Sequence, residues 1–124
     1  MEKIEFDQTD CWILLSIPLE KEGCDLPELI GIADMLNHSI PSKLEIETAI
    51  TKGIQSETVC LKEGRFMLCL LFKEIFDKVI KGRGGIFSLV EKIEKKLNSY
   101  EFEQHNISAF KLTQKEYDSA YQSV

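Results

Sequence analysis

Between Asp25 and Cys69 the spacing of apolar residues changes from a helical period to a strand period, and that change sets out an order of elements. Leu26, Leu29, Ile30, Ala33 and Leu36 recur at helical intervals, and Ile32 and Met35 widen the apolar face. Ile46, Ile50 and Ile54 then lie four apart on one face, with Ala49 and Gly53 beside them. Caps bound both segments. Asp25 with Glu28, and Ser42 with Glu45, have the spacing of capping boxes, and Pro27 falls in a first turn, where its missing N–H costs little. Asn37 suits a left-handed helix end. Ser39-Ile40-Pro41 forms the turn, because Pro41 drives the residue before it out of the helical region.

From Val59 onward a β-hairpin is expected. With a two-residue turn at Glu63-Gly64 and Lys62 opposite Arg65, Leu61 faces Phe66 and Val59 faces Leu68; a three-residue loop with a bulge is the alternative. One side is then wholly apolar, and Cys60, Lys62, Arg65, Met67 and Cys69 share the other. In this register Cys60 lies opposite Met67, so Cys60 and Cys69 are diagonal and a disulfide between them is not expected.

The flanks are helical. Asp10 is the expected N-cap of a helix over Cys11 to Ile17, apolar on nearly every side, that kinks or stops at Pro18, with Glu20-Lys21-Glu22-Gly23 as a last polar turn and stop; before it lies a polar lead-in with a short strand at Ile4 and Phe6. After the hairpin, Leu71, Phe72, Ile75, Phe76, Val79 and Ile80 make a helical stripe ending at Gly82-Arg83-Gly84-Gly85. A further helix turns Ile86, Phe87, Leu89, Val90, Ile93 and Leu97 inward. Residues 107–112 read as a short strand, and Thr113 with Glu116 caps a last helix carrying Tyr117, Ala120 and Tyr121. The fold class is α+β, mostly α: a winged helix-turn-helix with a β-hairpin wing and a C-terminal helical extension. A single domain over 1–124 is expected, with its core at 10–69 and the extension at 70–124.

Composition changes this picture little. The 124 residues are 44% hydrophobic and 29% charged, ordinary globular values. The first residues are charged, and the longest uncharged runs, Cys11 to Leu19 and Phe66 to Phe72, fall short of the ~20 residues that span a bilayer. A cytoplasmic protein with no membrane association is expected.

Charge distribution matters more. Residues 1–57 hold 4 Lys/Arg against 12 Asp/Glu, whereas residues 58–100 hold 9 against 5. The helix-turn-helix is therefore the acidic part, the reverse of what phosphate backbones attract. Lys43, Glu45, Glu47, Thr48, Thr51, Lys52, Gln55 and Glu57 are expected to face outward from the third helix, which offers no Arg or Asn to base edges. The expected contact set, for a partner or for DNA, is Lys43, Glu45, Glu47, Thr51 and Lys52 with Lys62 and Arg65 at the wing tip.

No catalytic constellation is visible. Glu45 and Glu47 lie two apart on different faces of a helix and cannot flank one bond. Asp34 and His38, four apart, read as a helix-end contact; His105 stands alone. The four cysteines show no Cys-x-x-Cys pairing and read as buried hydrophobes. Gly82-Arg83-Gly84-Gly85 lacks the spacing and the Lys-Ser/Thr of a P-loop and reads as a joint, its neighbouring lysines as a solvated helix face. No metal, no cofactor and no enzymatic activity are expected.

At Asn37-His38-Ser39-Ile40-Pro41, then Ile46, Ile50, Ile54 and Val59, the chain resembles small winged-helix-like bacterial proteins of uncharacterised function. Gly84-Gly85-Ile86-Phe87, Lys111-Leu112-Thr113 and Glu116-Tyr117 with Tyr121 fit the same resemblance; Thr58 departs from it, since a hydrophobic residue is expected before the wing strand. The resemblance implies transcription regulation or protein–protein interaction and transfers no catalytic residue. The charge pattern favours a protein-interaction module in a regulatory assembly, with a protein partner or a homodimer through the helices at 70–99. The alternative is a DNA-binding transcriptional regulator that touches DNA mainly by the wing.

Overall fold

Asp7, three residues before the expected cap, opens the first helix. In a computed structural model that describes residues 4–19, 22–82, 84–100 and 109–124, α1 spans Gln8–Leu15. The Asp7 side chain accepts from the Asp10 N–H at 2.8 Å, and the Asp10 carboxylate accepts from the Asp7 N–H at 3.0 Å. Asp10 is thus the third-residue partner of a capping box rather than the cap itself. Of the two outcomes expected at Pro18, the helix stops rather than kinks: the Ile17 N–H bonds the Leu14 carbonyl that Pro18 has no N–H to reach. Trp12 is a core anchor, its indole N–H donating to the Ala33 carbonyl at 2.9 Å.

Helix α2 (Leu26–Asn37) and helix α3 (Lys43–Gln55) begin at the two expected capping boxes. The left-handed residue closing α2 is His38, one place beyond Asn37, and its N–H bonds the Asp34 carbonyl at 2.7 Å. That end is closed by backbone, in the manner usually left to Gly or Asn.

The hairpin adopts the expected register. Strand β1 (Val59–Lys62) pairs antiparallel with β2 (Arg65–Leu68), with Val59 opposite Leu68, Cys60 opposite Met67, Leu61 opposite Phe66 and Lys62 opposite Arg65. Glu63 and Gly64 have φ of 52° and 74°, the two positive values that a two-residue turn of this hand requires. Val59, Phe66 and Leu68 are buried as the parity argument demands, but Leu61, toward the hairpin tip, is 45% exposed. On the far side of β2, Cys24 makes a two-way backbone bridge to Phe66, N–H to O at 3.0 Å and 2.8 Å. A third extended segment, between α1 and α2, thereby lines the hairpin.

Thr58 is fully buried, yet its hydroxyl is satisfied by the Gly53 carbonyl at 3.1 Å and the Ser56 hydroxyl at 3.0 Å. These bonds explain a polar residue where an apolar one was expected. Gly53 is required at the same joint, since a Cβ there would lie 2.5 Å from Val59 Cγ2.

Helices α4 (Leu70–Ile80), α5 (Ile86–Asn98) and α6 (Gln114–Gln122) complete the described chain, which is mostly helical with one small antiparallel hairpin. Phe72, Phe76, Val90, Ile93 and Leu97 join Ile13, Leu14, Leu29, Ile30, Ile46, Ile50 and Leu68 in one cluster of buried side chains. Phe87 departs from the expectation: it is 76% exposed on the rim of a cleft between α1 and the first turn of α5. Ile4 and Phe6 are buried without forming a strand, and the Asn98 side-chain amide bonds both backbone groups of Phe6 at 2.9 Å. Glu20 and Lys21 of the expected polar turn, the Leu71 side chain, Arg83 and His105 lie outside the described residues, as does the start of the expected strand at 107–112. Its described part, 109–112, is not a strand but an extended strap on α3.

Candidate interaction surface

The outward face of α3 is where the structure departs furthest from the pattern of the sequence. Glu47, expected in solvent, is 5% exposed. Its carboxylate accepts from the Leu112 N–H at 2.8 Å and from the Lys43 ammonium at 3.2 Å. One turn on, Thr51 Oγ1 accepts from the Phe110 N–H at 3.0 Å and donates to the Phe110 carbonyl at 3.5 Å. The strap therefore meets side chains of α3 where a strand would meet a neighbouring backbone, which pairs the Phe110 and Leu112 N–H groups without a sheet. Phe110 packs edge-on to Phe66 of the hairpin at 5.6 Å between centroids, and Leu112 is buried. Beyond the strap, Thr113 and Glu116 cap α6, and the Tyr117 hydroxyl donates to the Pro41 carbonyl at 2.8 Å, in the turn before α3. The helix expected to read a partner is thus clasped along its Glu47–Thr51 side by residues 110–117 of the same chain.

Electrostatics follow the geometry. The bond from the Leu112 N–H, aided by Lys43, holds the Glu47 carboxyl below the ordinary carboxylate value of 4.5. A group lowered in the folded state contributes stability above its unfolded pKa, and that stability is lost as pH falls through the folded value. Asp10 behaves in the opposite sense. It is 2% exposed, and burial raises its carboxyl above the model-compound value of 3.8 in spite of the Lys52 ammonium 2.6 Å away. Lys52, expected on the outward face, is bent back to this buried partner on α1.

Of the other expected contact residues, Glu45 accepts from the Ser42 N–H at 2.8 Å as part of the α3 cap. Arg65 is held at the loop before α2: its Nε donates to the Glu22 carbonyl and its Nη2 to the Gly23 carbonyl, both at 3.1 Å. Lys62 projects from the hairpin tip, exposed. The expected set is therefore not one surface. Lys43, Glu47 and Thr51 meet at the strap, Lys52 serves the core, Arg65 locks a loop, and Lys62 faces solvent.

Three positions have long-range roles that their local reading did not include: Asp10, expected as an N-cap, and Phe110 and Leu112, expected in a short strand. Each acts through a partner more than 40 residues away, so no local spacing announces it. Cys60 and Cys69 also differ from expectation, with Cys60 exposed and the two Sγ atoms 2.9 Å apart.

Beside a cleft of about 300 Å³ on α3 itself, lined by Leu44, Thr48, Gln55 and Lys111 among others, two more clefts mark the surface. One, of about 410 Å³, is lined by Leu15, Ile17, Leu19, Ile32, Met35, Leu36 and Ile80, with Glu28 the charged residue among the described lining; Met35 is 68% exposed there. The other, of about 650 Å³ between α4 and α5, has Ile75, Val79 and Tyr100 among Lys78, Lys92, Lys95 and Lys96. Among the described residues no group of three or more His, Cys, Asp or Glu is gathered as a metal would need, and no helix is long and apolar enough to cross a membrane.

Comparison with protein-family models, with curated proteins and with solved structures finds no match to the chain. The functional reading rests on the residues described above.

Proposed function

We propose that this chain is a winged-helix module that docks a protein partner in a regulatory assembly and does not read DNA. The order of elements supports the winged-helix part: helix, extended segment, helix, turn, helix, hairpin, with the extended segment at Cys24 bridged to β2. The observation that carries the functional part is the strap. A recognition helix must enter the major groove with its outward side chains free; here Glu47 and Thr51 of that face are engaged by Leu112 and Phe110 of the same chain, while Leu44 and Thr48 stay exposed. Charge acts in the same direction, because residues 1–57 carry 12 Asp/Glu against 4 Lys/Arg.

The partner chemistry that suits the remaining surface is a basic segment with an apolar face. Met35 and its neighbours offer an adaptable apolar anchor, and the acidic half of the chain supplies the complementary field. The experiment is one titration series at ~50 mM salt, in which backbone charge would dominate any DNA binding. Random duplex DNA and an amphipathic Lys/Leu peptide are the two probes. The peptide binds, Met35→Lys weakens it by tenfold or more, and the DNA does not bind. DNA affinity that falls steeply with salt, or peptide binding indifferent to Met35→Lys, would overturn the reading.

A further inference from the structure

We propose that Cys60 and Cys69 form an oxidisable dithiol at the base of the hairpin, a modification site whose co-reactant is a low-molecular-weight disulfide. The register explains how they meet. Cys60 pairs with Met67, and the Cys69 N–H bonds the Thr58 carbonyl at 2.9 Å, so the two cysteines are diagonal neighbours across the ladder. Such a diagonal ordinarily holds side chains apart. Here β2 ends at Leu68 and Cys69 is already the residue that opens α4, so its side chain is free to lean back over β1. The two Sγ atoms lie 2.9 Å apart, and a covalent S–S bond of about 2.05 Å needs an approach of under ~1 Å, within the play of two χ1 angles.

The pair differs from the other two cysteines in the ways that matter for this chemistry. Cys11 and Cys24 are fully buried, and burial pushes the Cys24 thiol up to about 12. Cys60 is exposed at the surface of β1, whereas Cys69 is half-buried, its thiol pushed up to about 12 by burial and by the adjacent Cys60. The exposed member meets the oxidant and the sheltered member resolves it. In the first step the Cys60 thiolate, its proton released to solvent, attacks one sulfur of the small disulfide; a mixed disulfide forms and one small thiolate leaves. In the second step Cys69 Sγ loses its proton and attacks Cys60 Sγ, and the second small thiolate leaves. Two protein thiols are oxidised to one disulfide, one small disulfide is reduced to two thiols, and the balance is complete. The product ties β1 to the residue that caps α4 and so fixes the hairpin against that helix.

The test is incubation of the native full chain with glutathione disulfide, followed by intact mass and a count of free thiols. The wild-type chain loses two hydrogens and two titratable thiols, with no retained glutathione, and peptide mapping joins Cys60 to Cys69. The Cys69→Ser chain instead stops at one glutathione on Cys60. Because Cys60 is exposed, Cys60→Ser keeps the fold, and it takes up less than one tenth as much glutathione as Cys69→Ser. Wild-type chain that keeps the adduct on Cys60, joins two chains covalently, or stays unreacted while denatured chain reacts would overturn the proposal.

Discussion

Replacing Lys52 with Met lowers the unfolding free energy by about 3 kcal/mol near neutral pH, toward the low end for removing one member of a buried ion pair because the Lys52 side chain keeps 26% of its exposure. The loss comes from what is left behind. Asp10 is 2% exposed at the start of α1, and its carboxylate would keep only the Asp7 N–H as a partner. Two companion measurements identify this cause. The double variant Asp10→Asn with Lys52→Met regains most of the loss, since a neutral amide oxygen still accepts from the Asp7 N–H and no charge is stranded. In Lys52→Met alone the loss shrinks on acidification. Asp10 is raised in the folded state, so the folded chain holds its proton more tightly than the unfolded chain does. Stability therefore rises as pH falls through the folded value toward 3.8. Urea midpoints at two pH values give both results. A loss unchanged by acid, or one the double variant does not recover, would mean that Lys52 acts through packing.

Gly23→Ala costs about 3 kcal/mol, and Gly64→Ala about 1 kcal/mol, although the two glycines share a φ of 74°. The left-handed backbone accounts for the common part. The difference is what a Cβ meets. At Gly64, in the hairpin turn, nothing lies within 4 Å; at Gly23 the new atom would be driven into the Phe66 carbonyl oxygen, with Met67 Cγ at 2.6 Å. Relief requires loss of the Cys24–Phe66 bridge, two backbone hydrogen bonds of about 1 kcal/mol each. Paired thermal or urea denaturation of the two variants isolates that bridge, and equal losses would show that it contributes nothing.

These two sites also mark the limit of what the sequence makes legible. Interactions closed within a few residues are written locally and are readable. The boxes at Asp25, Ser42 and Thr113 and the hairpin register from Val59 to Leu68 all occur as expected. Interactions between distant segments are not written in any spacing. A glutamate on an outward helical position has the pattern of a solvated residue whether or not a backbone N–H from 65 positions later settles on it, as Leu112 does on Glu47. Asp10 has the residue type of an N-cap and the position of a third-residue partner, and only the Asp7 geometry decides between them. Phe87 fits an inward stripe by period, but nothing closes over it. Parity puts Cys60 and Cys69 on one diagonal and is silent about the side-chain lean that brings their sulfurs together.

For function, the consequence lies in the expected contact set. Treated as one outward surface, Lys43, Glu47, Thr51 and Lys52 suggest an interface awaiting a ligand. In the structure the strap and the core have already taken them. On the proposed reading, a ligand that took Glu47 and Thr51 would first have to undo these bonds, which would expose Leu112 and the N–H groups that Glu47 and Thr51 satisfy.

The most direct measurement is residue-resolved amide hydrogen exchange of the full chain. The Phe110 and Leu112 amides, bonded to Thr51 Oγ1 and Glu47 Oε2, exchange at least ~100-fold more slowly than free coil, and Glu47→Ala restores fast exchange at Leu112 while the α1 amides stay protected. Exchange of Phe110 and Leu112 at the coil rate in the wild-type chain would contradict the account, because the outward face of α3 would then be open.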